Sequence, residues 1–241
     1  MVFPIILAIV ALVAGAIASI AGFGIGSLLT PLVSLKTGIS IAVAAVSISH
    51  IFGTALRFYL LRRFLNKGVL LSFGLTSAAG GLVGALLHNT FQNVLLTIIF
   101  ACLLILAGLS GLIGLLDKIR LKGPSIWFAG ALSGFFGGLV GNQGGIRSAA
   151  LLGFHLDKNQ FVATATGIAL MVDVVRVPVY LAAQWSQLAS NWQFILIATI
   201  GVVIGTLGGK RVLEKIPEFI FKKTVSAIIL LIGIFVLLYS S

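Results

Sequence analysis

The sequence predicts an all-α polytopic membrane protein of two inverted repeats, each a glycine-rich broken helical hairpin plus three transmembrane helices. Three observations carry this expectation. The 241 residues are 59% hydrophobic and 9% charged, with a mean hydropathy of +1.20, which leaves too little polar surface for a soluble globule. Apolar runs near the ~20 residues that a helical crossing needs recur along the whole length. Two glycine-rich stretches also line up with each other: Ala14-Gly15-Ala16 with Ala129-Gly130-Ala131, and Gly22 and Gly26 with Gly137 and Gly141.

The stronger of these stretches, residues 134–148, organises the chain. Glycine recurs at 134, 137, 138, 141, 144 and 145, and Asn142, Gln143 and Arg147 crowd the same place. Each glycine costs about 1 kcal/mol in a helix interior relative to Ala, and hydrocarbon tolerates such polar side chains badly. Non-helical backbone at membrane depth survives only where it is buried in protein or lines a wet cavity. A hairpin broken at its tip is therefore expected, with backbone N–H groups, two amides and a guanidinium converging on one spot equipped to hold an anion. The first copy has no amides or arginine and carries Ser19, Ser27 and Thr30 instead.

In chain order, the apolar stretches are about 3–33, 38–60, 68–88, 92–116, 124–152, 160–183, 191–209 and 219–239. Arg57, Arg62, Arg63 and Lys67 mark one cytoplasmic link, and Lys118, Arg120 and Lys122 another, with the neutral link from His88 to Gln92 outside. Eight simple crossings would leave Lys210, Arg211, Lys215, Lys222 and Lys223 outside, against the positive-inside rule. The conflict disappears if 124–152 enters and returns to the same face. His155, Asp157 and Lys158 are then cytoplasmic, and the neutral link from Ser186 to Asn191 is outside. The same rule applied to 3–33 puts both termini outside and leaves Lys36 as the external basic residue. Two membrane repeats follow, 1–117 and 124–241, forming one integral unit of opposed halves. The first twenty residues lack a basic leader and belong to the repeat, so they are expected to be retained.

The alignment continues beyond the hairpins: 42–50 faces 163–171, Tyr59 faces Tyr180, Gly80 and Gly84 face Gly201 and Gly205, and Ala107-Gly108 faces Ile232-Gly233. Gly80, Gly81, Gly84, Gly201, Gly205, Gly208 and Gly209 have the spacing of close helix crossings. Inverted repeats with discontinuous helices are the plan of secondary transporters, whose broken elements mark the binding site.

The polar residues within the apolar runs are the candidate functional groups. Arg147 is placed to meet a substrate anion, Asp173 or a helix C-terminus. Asp173 and Arg176 lie three apart on one helix face, either as a self-neutralising pair or with Asp173 carrying a proton or cation, and Pro178 is expected to kink that helix. His50 is either a satisfied buried histidine or a proton-coupling group. Asn142 and Gln143 either donate to an oxyanion or satisfy freed backbone. Thr164 and Thr166 either line a cavity or bond back to their own helix. His88 and His155 are expected in solvated links, Cys102 as a small packing residue, and Trp127, Trp185, Trp192, Tyr180 and Tyr239 as interfacial anchors.

The site expected from these residues uses the N–H groups of Gly141, Gly144 and Gly145, the charge of Arg147, and orientation by Asn142 and Gln143. Ser19, Gly22, Gly24 and Ser27 form the opposite wall, and Asp173, Arg176 and His50 serve coupling or a buried ion pair. The formal charge of +11 suits a cytoplasmic-loop bias better than nucleic-acid binding, because the basic residues sit in short links. The three histidines stand in separate elements with no i,i+4 partner, so no zinc signature appears, and no Gly-x-Ser-x-Gly elbow occurs. No enzyme, metal or cofactor is expected. The expected partners are a small anion and the bilayer, and a homodimer is compatible with the sequence.

The pair of broken segments, AGFGIGSLLTP and SGFFGGLVGNQGGIRSAALLGF, with the link RFYLLRR and the span ATATGIALMVDVVRVPVYL, resembles the sulfite exporter TauE/SafE family, also called the 4-toluene sulfonate uptake permease family. The resemblance runs over nearly the whole chain. It implies a prokaryotic cytoplasmic-membrane carrier of small sulfur-containing or related organic anions that works without ATP hydrolysis. Members often carry a proline after each glycine-rich run. Here Pro31 is present and the second run has none, which points to a subgroup tuned by Asn142, Gln143 and Arg147.

Overall fold

The computed structural model describes residues 2–88, 90, 94–113, 123–141, 144–215 and 217–238. Among these, the chain is helical throughout: α1 (Val2–Ala21), α2 (Ile25–Thr37), α3 (Ile39–Leu61), a short 3-10 turn (Arg62–Phe64), α4 (Lys67–Leu87), α5 (Val94–Leu112), α6 (Pro124–Val140), α7 (Gly144–Leu152), α8 (Lys158–Ser190), α9 (Trp192–Lys215) and α10 (Glu218–Leu238). Among the described residues, five helical segments are long and apolar enough to cross a membrane: Val2–Ala21, Ile39–Phe64, Lys67–Leu87, Lys158–Ser190 and Trp192–Val212. The chain is a polytopic helical membrane protein, and large apolar side chains such as Ile9, Leu86, Phe128 and Leu231 stand exposed on its outer faces.

The two glycine-rich stretches are broken, as their composition predicts. Helix α1 stops at Ala21, and Gly22 and Gly24 take φ of 82° and 131°, in the range that favours glycine, before α2 begins. Helix α6 opens with Pro124 in its first turn and ends on Gly141, left-handed at φ 75°. Helix α4 starts where the Asn66 side chain accepts the Val69 N–H (3.1 Å), and α8 where Asp157 accepts the Gln160 N–H (2.8 Å).

Helix pairs build the body: α4 lies along α6, α1 along α9 and α5 along α10, while α8 packs on α3 and α4. Glycines set the first two pairings. A Cβ on Gly80 or Gly84 would strike the carbonyl of Ala131 or Phe135 in α6, and one on Gly205 or Gly209 would strike the carbonyl of Leu12 or Ala16 in α1. The close-crossing reading of these residues holds, as it does for Gly81 against Val172 and Gly201 against Ala8 and Ala11, whereas Gly208 has open space beside it.

Several expectations are corrected. Helix α8 does not stop near residue 183; it runs 33 residues to Ser190, about 50 Å at 1.5 Å per residue, so the link expected from Ser186 is helical and the boundary falls at Asn191. The helix passes Pro178, and its departure from helical geometry lies at Gln184 instead (φ −135°, ψ 25°). Lys36 belongs to the last turn of α2, with its amine 5.7 Å from the centre of the Phe3 ring. Cys102 is exposed on α5 rather than packed inside. Trp127, Trp185 and Trp192 are exposed, consistent with anchoring. Lys118, Arg120, Lys122, Gln92 and Tyr239 lie outside the described residues.

Candidate functional site

A helix broken at membrane depth exposes its last carbonyls, which need donors from elsewhere in the protein. At the end of α6 three consecutive carbonyls receive them. Arg176 Nη1 donates to Gly137 O (2.7 Å), the Tyr180 hydroxyl to Gly138 O, and His88 Nδ1 to Leu139 O (2.7 Å). Just past the end of α1, Gly22 O accepts from Arg147 Nη2 (3.1 Å). Cations also suit the negative end of a helix dipole. The glycine-softened breaks and the buried cations thus answer one another.

The breaks lie against each other. A Cβ on Gly26, in the first turn of α2, would come within 2.7 Å of Gly141 O, and one on Gly144 would run into the Phe23 side chain. Arg147 spans the same junction, projecting from α7 to the carbonyl at 22.

Beside the junction is a buried polar network carried by α3 and α8. Asp173 accepts from His50 Nδ1 (2.6 Å) and from Arg176 Nε (2.9 Å), with Arg176 Nη2 in ion-pair contact at 2.9 Å, and His50 Nδ1 lies 3.2 Å from Thr54 Oγ1. Arg57 donates from Nε to Thr166 Oγ1 (2.8 Å). Arg57, Arg147, Arg176 and Asp173 are 1%, 0%, 2% and 0% exposed. Asp157, the other carboxylate whose side chain is described, caps α8 at the surface. With His50 neutral, these four buried charges leave a net of +2. The excess falls on Arg57 and Arg147: Nη1 and Nη2 of Arg57 and Nε and Nη1 of Arg147 have no hydrogen-bond partner among the described residues.

Of the residues expected at the site, Gly22, Gly141, Gly144 and Arg147 come together at the junction. His50, Asp173 and Arg176 form one connected cluster. Ser19 turns away, its hydroxyl donating to Thr206 O of α9 (2.9 Å), which corrects its expected place in the opposite wall. Gly24 packs on Ile17, Gly145 faces Leu104 of α5, and Ser27 is buried in α2. Asn142 and Gln143 lie outside the described residues.

Five residues were misread from sequence or passed over. Arg57 is not part of a basic link but sits on the inner face of α3; its spacing from His50 and Thr54 was the available signal. His88 is 2% exposed rather than solvated, and Tyr180 is buried at 1%, its ring 5.2 Å from the imidazole of His88. Thr166 and Thr164 serve other elements, holding Arg57 and accepting the Asn66 N–H (3.0 Å). His155 is exposed, as expected of a link residue.

Residues 7–236 match the family described as Sulfite exporter TauE/SafE. The chain belongs to the TauE/SafE family. Its TauE/SafE membership makes it a membrane transport protein of a family that exports sulfur-containing anions, and that family is not an enzyme family. No curated protein and no solved structure matches the chain. The junction and the cluster beside it are thus features of a TauE/SafE family member.

Proposed function

We propose that this protein is a secondary transporter of a small sulfur-containing or related organic anion across the cell membrane, with its site where the breaks of two inverted repeats, 1–117 and 124–241, meet. One observation carries the reading: the guanidiniums of Arg57 and Arg147 are buried and, among the described residues, have no carboxylate of their own and carry donors without a hydrogen-bond partner. A buried charge without a counter-ion costs several kcal/mol, and a bound anion removes that cost. In this reading Arg147 supplies charge, the N–H groups around Gly141, Gly144 and Gly145 complete the cradle, and Asn142 and Gln143 orient the ligand. His50 and Asp173 couple transport to protons.

The helix pairings support the repeat. Exchanging α1 with α6, α2 with α7, α3 with α8, α4 with α9 and α5 with α10 turns the α4–α6 pair into α9–α1 and α4–α8 into α9–α3, and leaves α5–α10 and α3–α8 unchanged; all of these pairs pack. Opposed halves and the basic links put both termini outside, so a tag at either end is reachable only from the external face. Detection from the cytoplasm would refute that topology. The membrane potential favours outward movement of an anion by about 2.3 kcal/mol per charge per 100 mV, so export needs no coupling ion.

The test is a thermal-shift panel of sulfite, sulfonates, sulfate and carboxylates on the wild type and Arg147→Ala. A ligand at about 100 times its Kd stabilises by about 2.7 kcal/mol. At about 2–4 °C per kcal/mol that is roughly 5–11 °C, and it disappears in the variant. Stabilisation surviving in Arg147→Ala removes this residue from the site. Saturation and counterflow in proteoliposomes distinguish a carrier from a passive anion channel.

A further inference from the structure

The family match says nothing of Arg57, and the sequence pattern placed it in a cytoplasmic link. Its position in the fold is different. It shares the buried face of α3 with His50 and Thr54 and is 1% exposed. Thr166 of α8 holds Nε at 2.8 Å, leaving the end-on edge of the guanidinium, Nη1 and Nη2, without partners among the described residues. That edge is the planar fork that grips two oxygens of one oxyanion.

Arg147 brings further donors, Nε and Nη1, without partners among the described residues. The packing joins the two guanidiniums: Thr166 holds Arg57, its neighbour Ala165 lies 3.0 Å from where a Cβ on Gly22 would stand, and Gly22 O accepts from Arg147 Nη2 (3.1 Å). The single buried carboxylate among the described side chains is already committed: Asp173 takes hydrogen bonds from both His50 and Arg176. Arg176 and Asp173 cancel, and two positive charges remain on Arg57 and Arg147. A singly charged ligand would leave one of them unmatched in a buried setting, whereas a doubly charged one neutralises both.

We propose that Arg57 is a second anion ligand alongside Arg147, and that the pair makes the site selective for doubly charged oxyanions over singly charged ones of the same shape. This rests on the reading of the junction as the anion site. It narrows the substrate class to anions with two charges, such as an inorganic sulfur oxyanion or a sulfonate bearing a second acidic group, and disfavours simple monosulfonates and monocarboxylates.

Sulfate and methanesulfonate provide the test, since they share a tetrahedral sulfur and differ by one oxygen, one methyl and one charge. Binding of each is measured by calorimetry on the intact protein in nanodiscs at equal ionic strength, which matters because salt screens any exposed contribution. The wild type is expected to prefer sulfate by about tenfold or more. In Arg57→Gln that preference falls to near parity while methanesulfonate binding persists, and Arg57→Lys regains part of it.

Equal affinity of the wild type for the two anions, or an unchanged preference in Arg57→Gln, overturns the proposal. The wild-type ratio decides even where the variant fails to fold. If neither anion binds the wild type, or Arg147→Ala binds both as before, the assignment of the junction as the site fails, and this proposal with it.

Discussion

Replacing Asp173 by Asn isolates charge from shape in the buried cluster. The amide keeps an oxygen to accept from Arg176 and presents an N–H₂ group to His50, so the contacts at 2.9 and 2.6 Å can be re-formed with the imidazole in its other tautomer. What is lost is the negative charge. Arg176, 2% exposed, is then a buried guanidinium with no counter-ion, and the net charge of the interior rises from +2 to +3. Removing one partner of a buried pair costs about 3–5 kcal/mol. For a chain of this size each kcal/mol shifts Tm by about 2–4 °C, so Asp173→Asn is expected to melt about 6–20 °C lower. The assay is thermal unfolding of the wild type, Asp173→Asn, Arg176→Gln and the double variant in one detergent. The double variant restores the charge balance and recovers most of the loss, giving a favourable coupling energy of more than about 1 kcal/mol. A double variant no more stable than Asp173→Asn, or an Asp173→Asn protein that melts with the wild type, refutes the charge argument.

Other substitutions test the packing. Gly205→Ala drives a Cβ into the Leu12 carbonyl and lowers Tm, whereas Gly208→Ala meets nothing within 4 Å and is neutral or stabilising by up to about 1 kcal/mol; equal effects on melting would contradict the seam. Tyr180→Phe strips Gly138 O of the donor from α8 and costs about 1–3 kcal/mol in the same unfolding assay. Cys102 is exposed in an apolar helix, so in proteoliposomes a lipid-soluble maleimide labels it and a charged, membrane-impermeant one does not; the reverse order of labelling would put this face of α5 in water.

The breaks were legible because glycine and polar side chains interrupt otherwise apolar runs, and no helix-favouring force offsets that locally. The helix seams were legible from the spacing of Gly80, Gly84, Gly201 and Gly205. The local part of the ion cluster could be read as well, since Asp173 and Arg176 share a face by helical geometry alone. Its third member could not: His50 meets Asp173 across 123 positions of chain, a pairing that only the packing of α3 on α8 creates. Arg57 was hidden by its neighbours. Arg62 and Arg63 lie over the rings of Tyr59 and Phe64 at the end of the span and behave as link residues, and a charge five positions earlier looked like more of the same. Tyr180 was misplaced because α8 outlasts its apolar core, so a residue that seemed terminal lies well inside. His88 follows the last apolar residue of α4, and nothing in its surroundings announces that the carbonyl of Leu139 waits for it.

The hydrogen bond from Arg147 to the backbone at 22 is made between side chain and main chain on opposite sides of the junction. In the proposed carrier neither half would own a finished receptor. Parting the two tips frees Nη2 and deprives α1 of its terminal partner in a single movement, so under that proposal the grip on the anion and the docking of the tips rise and fall together.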